Sequence, residues 1–200
     1  MSKNKKNLLV IVTGIIALVL TGFLFVMSIR SEFKTYLSKE YPEQKFDVGY
    51  VKIDPIYGSY YSSVTCLDDS IPFGISKSFN TKKISEYYSQ AKSTNQYNAK
   101  IRAIFNGSGI KSAIINVSGG SRSPFQNDGL YSQISLLITE NVNLISVTKK
   151  TIAILRENNI TAERLDLTQG KDKHVYEITL SPADCGLTES ELETKVEQRK

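Results

Sequence analysis

Histidine and cysteine are almost missing from this chain: one histidine, His174, and two cysteines, Cys66 and Cys185, stand among 200 residues. There is no His-x-x-x-His, no Cys-x-x-Cys, no phosphate-cradling glycine loop and no Gly-x-Ser-x-Gly elbow. Metal and thiol chemistry are left with little material, so no metal, cofactor or catalytic residue is expected. His174, beside Lys171, Asp172 and Lys173, reads as a solvated turn residue. Asp68 and Asp69, with Asp47 or Asp54, offer oxygen ligands for calcium. Their spacing is not that of a calcium loop, and adjacent aspartates before Ser70 are ordinary turn formers. Arg122, in a Gly-Ser loop, reads as a loop charge and not as an anion site.

Charge of one sign is also scarce over most of the chain. The formal net charge is +5, yet Lys3, Lys5, Lys6 and Arg30 fall in the first 30 residues, which hold no acid. The other 21 basic and 20 acidic residues nearly cancel. A phosphate backbone needs a dense basic stripe, and none is present, so nucleic acid is excluded as a partner.

What the chain does have is one long apolar run. Residues 8–29 carry no charge, and at about 1.5 Å per residue they cover roughly 33 Å, enough for a hydrocarbon core of about 30 Å. The run predicts a single transmembrane helix. Lys3, Lys5 and Lys6 flank one end, while Arg30 and Lys34 are mixed with Glu32 at the other, which places the N-terminus in the cytoplasm and residues 30–200 outside the cell membrane. The rival reading is a cleaved signal peptide. Against it, the run is longer than an ordinary signal core, and no small-x-small site follows before the amphipathic segment at Ser31.

Beyond the anchor, Phe33, Tyr36, Leu37 and Tyr41 have the spacing of one helical face, closed by Pro42, so the membrane helix is expected to continue into a short stalk. Phe46, Val48 and Tyr50 alternate as a strand whose phase changes near Gly49, as a bulge would produce. Strands at residues 59–67 and 71–75 complete a three-stranded meander, with Pro72 marking an edge. From Thr81 the apolar period turns helical, through Ile84, Tyr87, Tyr88, Ala91, Ile101, Ile104 and Phe105, with a weak stretch at residues 94–98. Asn106 and Gly107 end it.

The second half predicts a strand at 112–117, a Gly-Ser loop, and a strand through Ile134, Leu136 and Ile138. A helix through Leu144, Val147, Thr151, Ile152 and Leu155 follows, then a hairpin turned at residues 169–172. Thr188 and Glu191 have capping-box spacing before a short final helix through Leu192 and Val196. The fold class expected is α+β: an N-terminal transmembrane helix and two small modules of antiparallel strands packed against helices. The divisions are 1–7 cytoplasmic, 8–29 transmembrane, 30–107 membrane-proximal module and 108–200 distal module. The recurrence of helix, hairpin and helix suggests that the modules are related.

Phe33, Tyr36, Leu37, Tyr41 and Pro42, followed by Phe46-Asp47-Val48, the tyrosine-bearing hairpin at 57–64, Ile71, Phe73 and Ile84-Ser85-Glu86-Tyr87-Tyr88, form a pattern that resembles the YfjL-like membrane-anchored proteins of Gram-positive bacteria. Its order is also similar to that of the DUF3139 group. The resemblance covers roughly residues 8–107. It implies an α+β fold at the cell surface and brings no catalytic residues.

Tyrosine is unevenly placed, with nine of eleven between Tyr36 and Tyr97. Tyr57, Tyr60 and Tyr61 share one hairpin, and adjacent strand residues point to opposite faces, so one of Tyr60 and Tyr61 is expected outside. Tyrosine offers large contact area at low rotamer cost, which makes this hairpin the candidate partner contact. Two functional classes follow. The leading one is a non-catalytic binding or interaction domain at the cell surface, with an envelope protein or glycan as partner. The alternative is a cell-envelope enzyme such as a glycan hydrolase, for which Asp68, Asp69 and Glu86 are the only grouped acids. That chemistry needs two carboxylates across a cleft, about 5–10 Å apart, which neighbours in one turn do not supply. Assembly through the membrane helix is a third possibility, although residues 8–29 have no Gly-x-x-x-Gly face.

Overall fold

The computed structural model describes residues 3–199, residues 3–10 by their backbone alone. The chain is α+β and divides into two compact units, Met1–Ala91 and Lys92–Lys200. The division falls inside a helix, not at residue 107, where glycine and asparagine suggested a boundary. The reason is that Tyr97, Ile101 and Phe105 are buried in the core of the second unit.

In the first unit, helix α1 runs unbroken from Lys3 to Glu40. Among the described residues it is the one helix long and apolar enough to cross a membrane. Its two parts differ sharply in burial. The side chains from Ile11 to Phe25 are exposed, whereas Ile29, Phe33 and Leu37, one face of the last three turns, are almost completely buried. They pack on an antiparallel sheet of β1 (Phe46–Val48), β2 (Lys52–Asp54), β3 (Ser59–Cys66), β4 (Pro72–Ser78) and β5 (Ile84–Glu86). The expected stalk is therefore the core helix of this unit.

The bulge lies where the phase change predicted it. Val48 pairs with Val64 but Lys52 with Tyr61, so residues 49–51 oppose only Ser62 and Ser63. Gly49 sits against β3 so closely that a Cβ there would lie 3.0 Å from the Ser63 carbonyl oxygen. Val51 turns inward after the bulge, and Tyr50, expected inward with Phe46 and Val48, is 88% exposed. A second departure is β5, which replaces the first turn of the expected helix. A tight turn at 79–83, with Lys82 in the left-handed region (φ 58°), returns the chain along β4. Helix α2 (Tyr88–Asn106) starts only after it and runs through the weak stretch at 94–98.

The second unit contains the rest of α2, β6 (Ile114–Gly120), β7 (Leu130–Ile138), α3 (Leu144–Glu157), β8 (Thr161–Lys171), β9 (His174–Leu180), α4 (Glu189–Glu193) and β10 (Val196–Arg199). Its sheet has the order β10-β9-β8-β7-β6. All pairs are antiparallel except β7 and β8, which are parallel because the α3 crossover returns the chain in the same direction. Asn143 caps α3 by accepting the Ser146 N–H at 2.8 Å, and Asn159, at φ 52°, ends the segment in a left-handed turn. Buried Gln169 donates to the carbonyls of Thr139 and Val142 at 2.6 and 2.9 Å, fixing the connection from β7 to α3. It is thus a strand clamp, and the hairpin turns three residues later, at Asp172 and Lys173, both with positive φ as a two-residue connection requires. The capping box at Thr188 and Glu191 is present, but the helix stops at Glu193 and Val196 begins β10. The mixed sheet of this unit and the antiparallel sheet of the first do not repeat one topology.

Candidate functional site

The tyrosine hairpin separates its three residues completely. Tyr60 points to the α1 side, with ring centroids 5.5 Å from Phe25 and 4.6 Å from Phe79. Tyr61 faces the other way, is 38% exposed, and lies under the Lys52 ammonium, which is 5.9 Å from the ring centroid. Tyr57 stands in the turn between β2 and β3 and is 82% exposed, next to Ile56 at 88%. Asp54 holds this turn by accepting the N–H groups of Ile56 and Tyr57, both at 3.0 Å, while Gly58 supplies the positive φ.

The three grouped acids are each engaged in holding local structure. Asp68 accepts the Lys45 backbone N–H at 2.7 Å. Asp69 accepts the Tyr88 hydroxyl at 2.6 Å and the Ile71 N–H at 3.2 Å. Glu86 accepts the Tyr41 hydroxyl at 2.7 Å and also the N–H of Tyr88. These bonds fix a cluster of rings in which Tyr88 touches Tyr41, Phe46 and Phe73 at centroid distances of 5.1, 5.4 and 5.2 Å. Burial, and then the hydrogen bond to Asp69, drive the Tyr88 phenol far above its ordinary titration range. It stays a neutral donor at any ordinary pH.

Sequence reasoning missed a polar surface of the second unit. Helices α2 and α3 bury one face of its sheet, through Val117, Ile134, Leu136, Ile138, Leu165, Leu167 and Ile178. The opposite face is uncovered, and alternation places Ser135, Asp166 and Thr179 across it at paired positions. Asp166 is 5% exposed, in the middle strand of five. It accepts from Arg164 Nε at 2.8 and 2.9 Å, Gln133 Nε2 at 2.7 Å and the Thr179 hydroxyl at 2.7 Å. Both oxygens are fully employed, which offsets the cost of placing a carboxylate there. Beside this network lies an open depression of about 830 Å³, lined by Asn98, Ser118, Gly120, Arg122, Gln133 and Arg164 among others. The available signal was a charged residue inside a strand of otherwise apolar alternation, Arg164-Leu165-Asp166-Leu167.

The floor of the depression is rigid. Gly119 donates its N–H to Asn98 Oδ1 at 3.0 Å, Arg102 Nε reaches the Val117 carbonyl at 3.0 Å, and a Cβ on Gly119 would be 2.9 Å from the Tyr131 ring. Tyr131 is held in turn by Tyr97, whose ring centroid is 5.0 Å away and whose carbonyl accepts the Tyr131 hydroxyl at 3.1 Å. Burial pushes that hydroxyl up to about 12. An apolar cleft of about 450 Å³ lies elsewhere in the unit, between Ile152, Leu155, Leu165, Pro182 and Cys185. His174 opens β9, with its Nδ1 buried and unpartnered, so it is less solvated than its place beside a turn suggested. Among the described residues, no group of three or more His, Cys, Asp or Glu side chains is disposed to hold a metal ion.

No family model, no curated protein and no solved structure matches the chain.

Proposed function

We propose that this chain is a single-pass membrane protein, N-terminus in the cytoplasm, whose residues 30–200 stand outside the cell membrane and act as a non-catalytic binding domain for an envelope protein or glycan. Kinship with the YfjL-like and DUF3139 groups over residues 8–107 belongs to the same proposal. The observation that carries the binding reading is the uncovered face of the second sheet, where amide, hydroxyl and guanidinium groups surround an open depression on a rigid floor. Such groups suit a polar ligand. Of the carboxylates at this face, Asp166 has its acceptor positions filled and Glu163, on the rim of the depression, is exposed to solvent, which favours recognition over acid-base chemistry. A glycan hydrolase built on Asp68, Asp69 and Glu86 is the weaker alternative, since each acid already holds a backbone or tyrosine donor.

Burial of Ile29 and Phe33 in the first unit supports an uncleaved anchor, because cleavage at the end of the apolar run would cut into a packed helix. The tyrosine hairpin remains the second contact surface. Photo-crosslinking in native membranes tests the binding reading, with the crosslinker placed at exposed Leu137 on the open face. A discrete adduct, diminished by Arg164→Ala, is expected. Failure to capture anything from Leu137 and from Asn116, its exposed partner across β6 and β7, would sink the assignment. For orientation, protease added to spheroplasts should digest residues 31–200, whereas protection of the whole chain would reverse the topology.

A further inference from the structure

The exposed turn between β2 and β3 lies at one particular end of the first unit. Tyr41 packs on Phe46 near the Cys66 end of β3, Arg30 Nε donates to the Val48 carbonyl at 2.8 Å, and Phe25 meets Tyr60. Moving back along α1 from Tyr41 to Phe25, a rise of about 24 Å, is thus matched by moving along β3 from Cys66 to Tyr60, about 20 Å. The strands lie along the helix, and the turn at residues 55–58 continues beyond Tyr60 toward the apolar end of α1.

The packing also shortens the part of α1 open to lipid. Val26 and Ile29 belong to the core of the unit, so residues 8–25 are left, about 27 Å of helix. That is slightly less than a hydrocarbon thickness of about 30 Å, a mismatch relieved by drawing the attached unit against the bilayer. The end so drawn in carries Ile56 and Tyr57, with Tyr50 the most exposed large hydrophobic side chains among the described residues. Beside them is the turn at residues 79–83, joined by the Phe79 N–H to the Gly58 carbonyl at 2.8 Å, with Lys82 and Lys83 exposed. Isoleucine and tyrosine flanked by lysines suit the boundary between acyl chains and phosphate headgroups.

We propose that the turn at residues 55–58 rests, through Ile56 and Tyr57, in the interfacial layer of the bilayer that holds α1, with Lys82 and Lys83 facing phospholipid headgroups. The occupant of this part of the tyrosine surface is lipid and not a protein partner. The proposal rests on the membrane-anchor reading, and the test separates the two.

The chain has no tryptophan, so one substitution gives a single reporter. The full chain is reconstituted into phosphatidylcholine-phosphatidylglycerol vesicles with brominated acyl chains, as Leu18→Trp, Tyr57→Trp and Leu67→Trp variants. Leu18 is in the apolar part of α1, and Leu67, 58% exposed, follows the far end of β3. The expected result is strong loss of emission at position 18, partial loss with a shift to shorter wavelength at position 57, and none at position 67. Loss at 18 with emission at 57 unquenched and water-like would overturn the proposal while leaving the anchor intact. Loss at 67 equal to that at 57 would also overturn it, since the unit would then lie on its side. No loss at 18 would remove the anchor reading itself, and the proposal with it.

Discussion

The ring of Phe25 meets the ring of Tyr60 edge to face, with centroids 5.5 Å apart. Phe25 belongs to the exposed apolar part of α1, and Tyr60 is the second residue of β3 after the turn. The contact marks where the apolar helix becomes part of a folded unit. From that point to Glu40 the same helix is part of the core, with no linker between the apolar run and the folded unit.

The core role of the helix predicts a sharp contrast between adjacent positions. Phe33 and Leu37 are fully buried, so Phe33→Ala should destabilise the first unit by about 3–5 kcal/mol and Leu37→Ala by about 2–5 kcal/mol. Lys34→Ala, on the exposed side, should stay within about 0.5 kcal/mol. Urea unfolding of the full chain in detergent micelles measures all three. Near-equal small effects would return this segment to the status of a stalk.

The hairpin tyrosines should differ in the same way. Tyr60→Ala loses two ring contacts and a half-buried surface, for a cost of roughly 1–3 kcal/mol. Tyr61→Ala loses one exposed cation-π contact, worth about 0.5–1 kcal/mol. Of the pair, only Tyr61 is then available to a partner. Thermal unfolding of the single variants decides between them, and a large loss at Tyr61 would place it in the core and remove it from the contact surface.

Local periodicity made much of this fold legible. The apolar run, the face of Phe33 and Leu37, the phase change at Gly49 and the Thr188 capping box all appear as neighbouring residues imply. What escaped depends on partners far away in sequence. Residues 84–86 have an apolar pattern fit for a helix and become a strand because β4 offers an edge. Val196 fits a continued helix and pairs with Ile178 instead. The open face around Asp166 was hidden for the same reason: Gln133, Arg164 and Thr179 converge only once β7, β8 and β9 are adjacent. The three tyrosines, by contrast, were visible as a group but not as three different environments.

Acid should act on the turn at residues 182–186 through Asp184. Its carboxylate accepts the Ser181 N–H at 2.8 Å and hydroxyl at 2.7 Å and pairs with Lys195 at 2.9 Å, which together hold it down at about 2. A folded-state value below the unfolded one, near 3.9, means that the contribution is complete above about pH 4 and is lost as the pH falls through about 2. Asp184→Asn should therefore be less stable than the parent at about pH 6, with the gap closing between about pH 4 and pH 2. A gap that persists unchanged at about pH 2 would assign the effect to something other than this ionisation.

The two thiols report on different units. Cys66 is fully buried in the first, where the Tyr88 hydroxyl lies 3.5 Å from its sulfur, and Cys185 is partly exposed in the second, at the apolar cleft beside Ile152 and Pro182. Burial raises the Cys185 thiol above its ordinary value, with Arg156 opposing, so even the accessible thiol is short of thiolate at neutral pH. Native protein should then label slowly at Cys185, faster as the pH is raised, and at Cys66 only when denaturant opens the first unit. Denatured, unreduced chain should take two labels at once, as both cysteines are free. Mass spectrometry of alkylated peptides across a urea series reads each site separately. Cys66 reacting as fast as Cys185 in native protein would contradict the packing of β3 against α1, and labels that appear only after reduction would mean that the thiols are bonded.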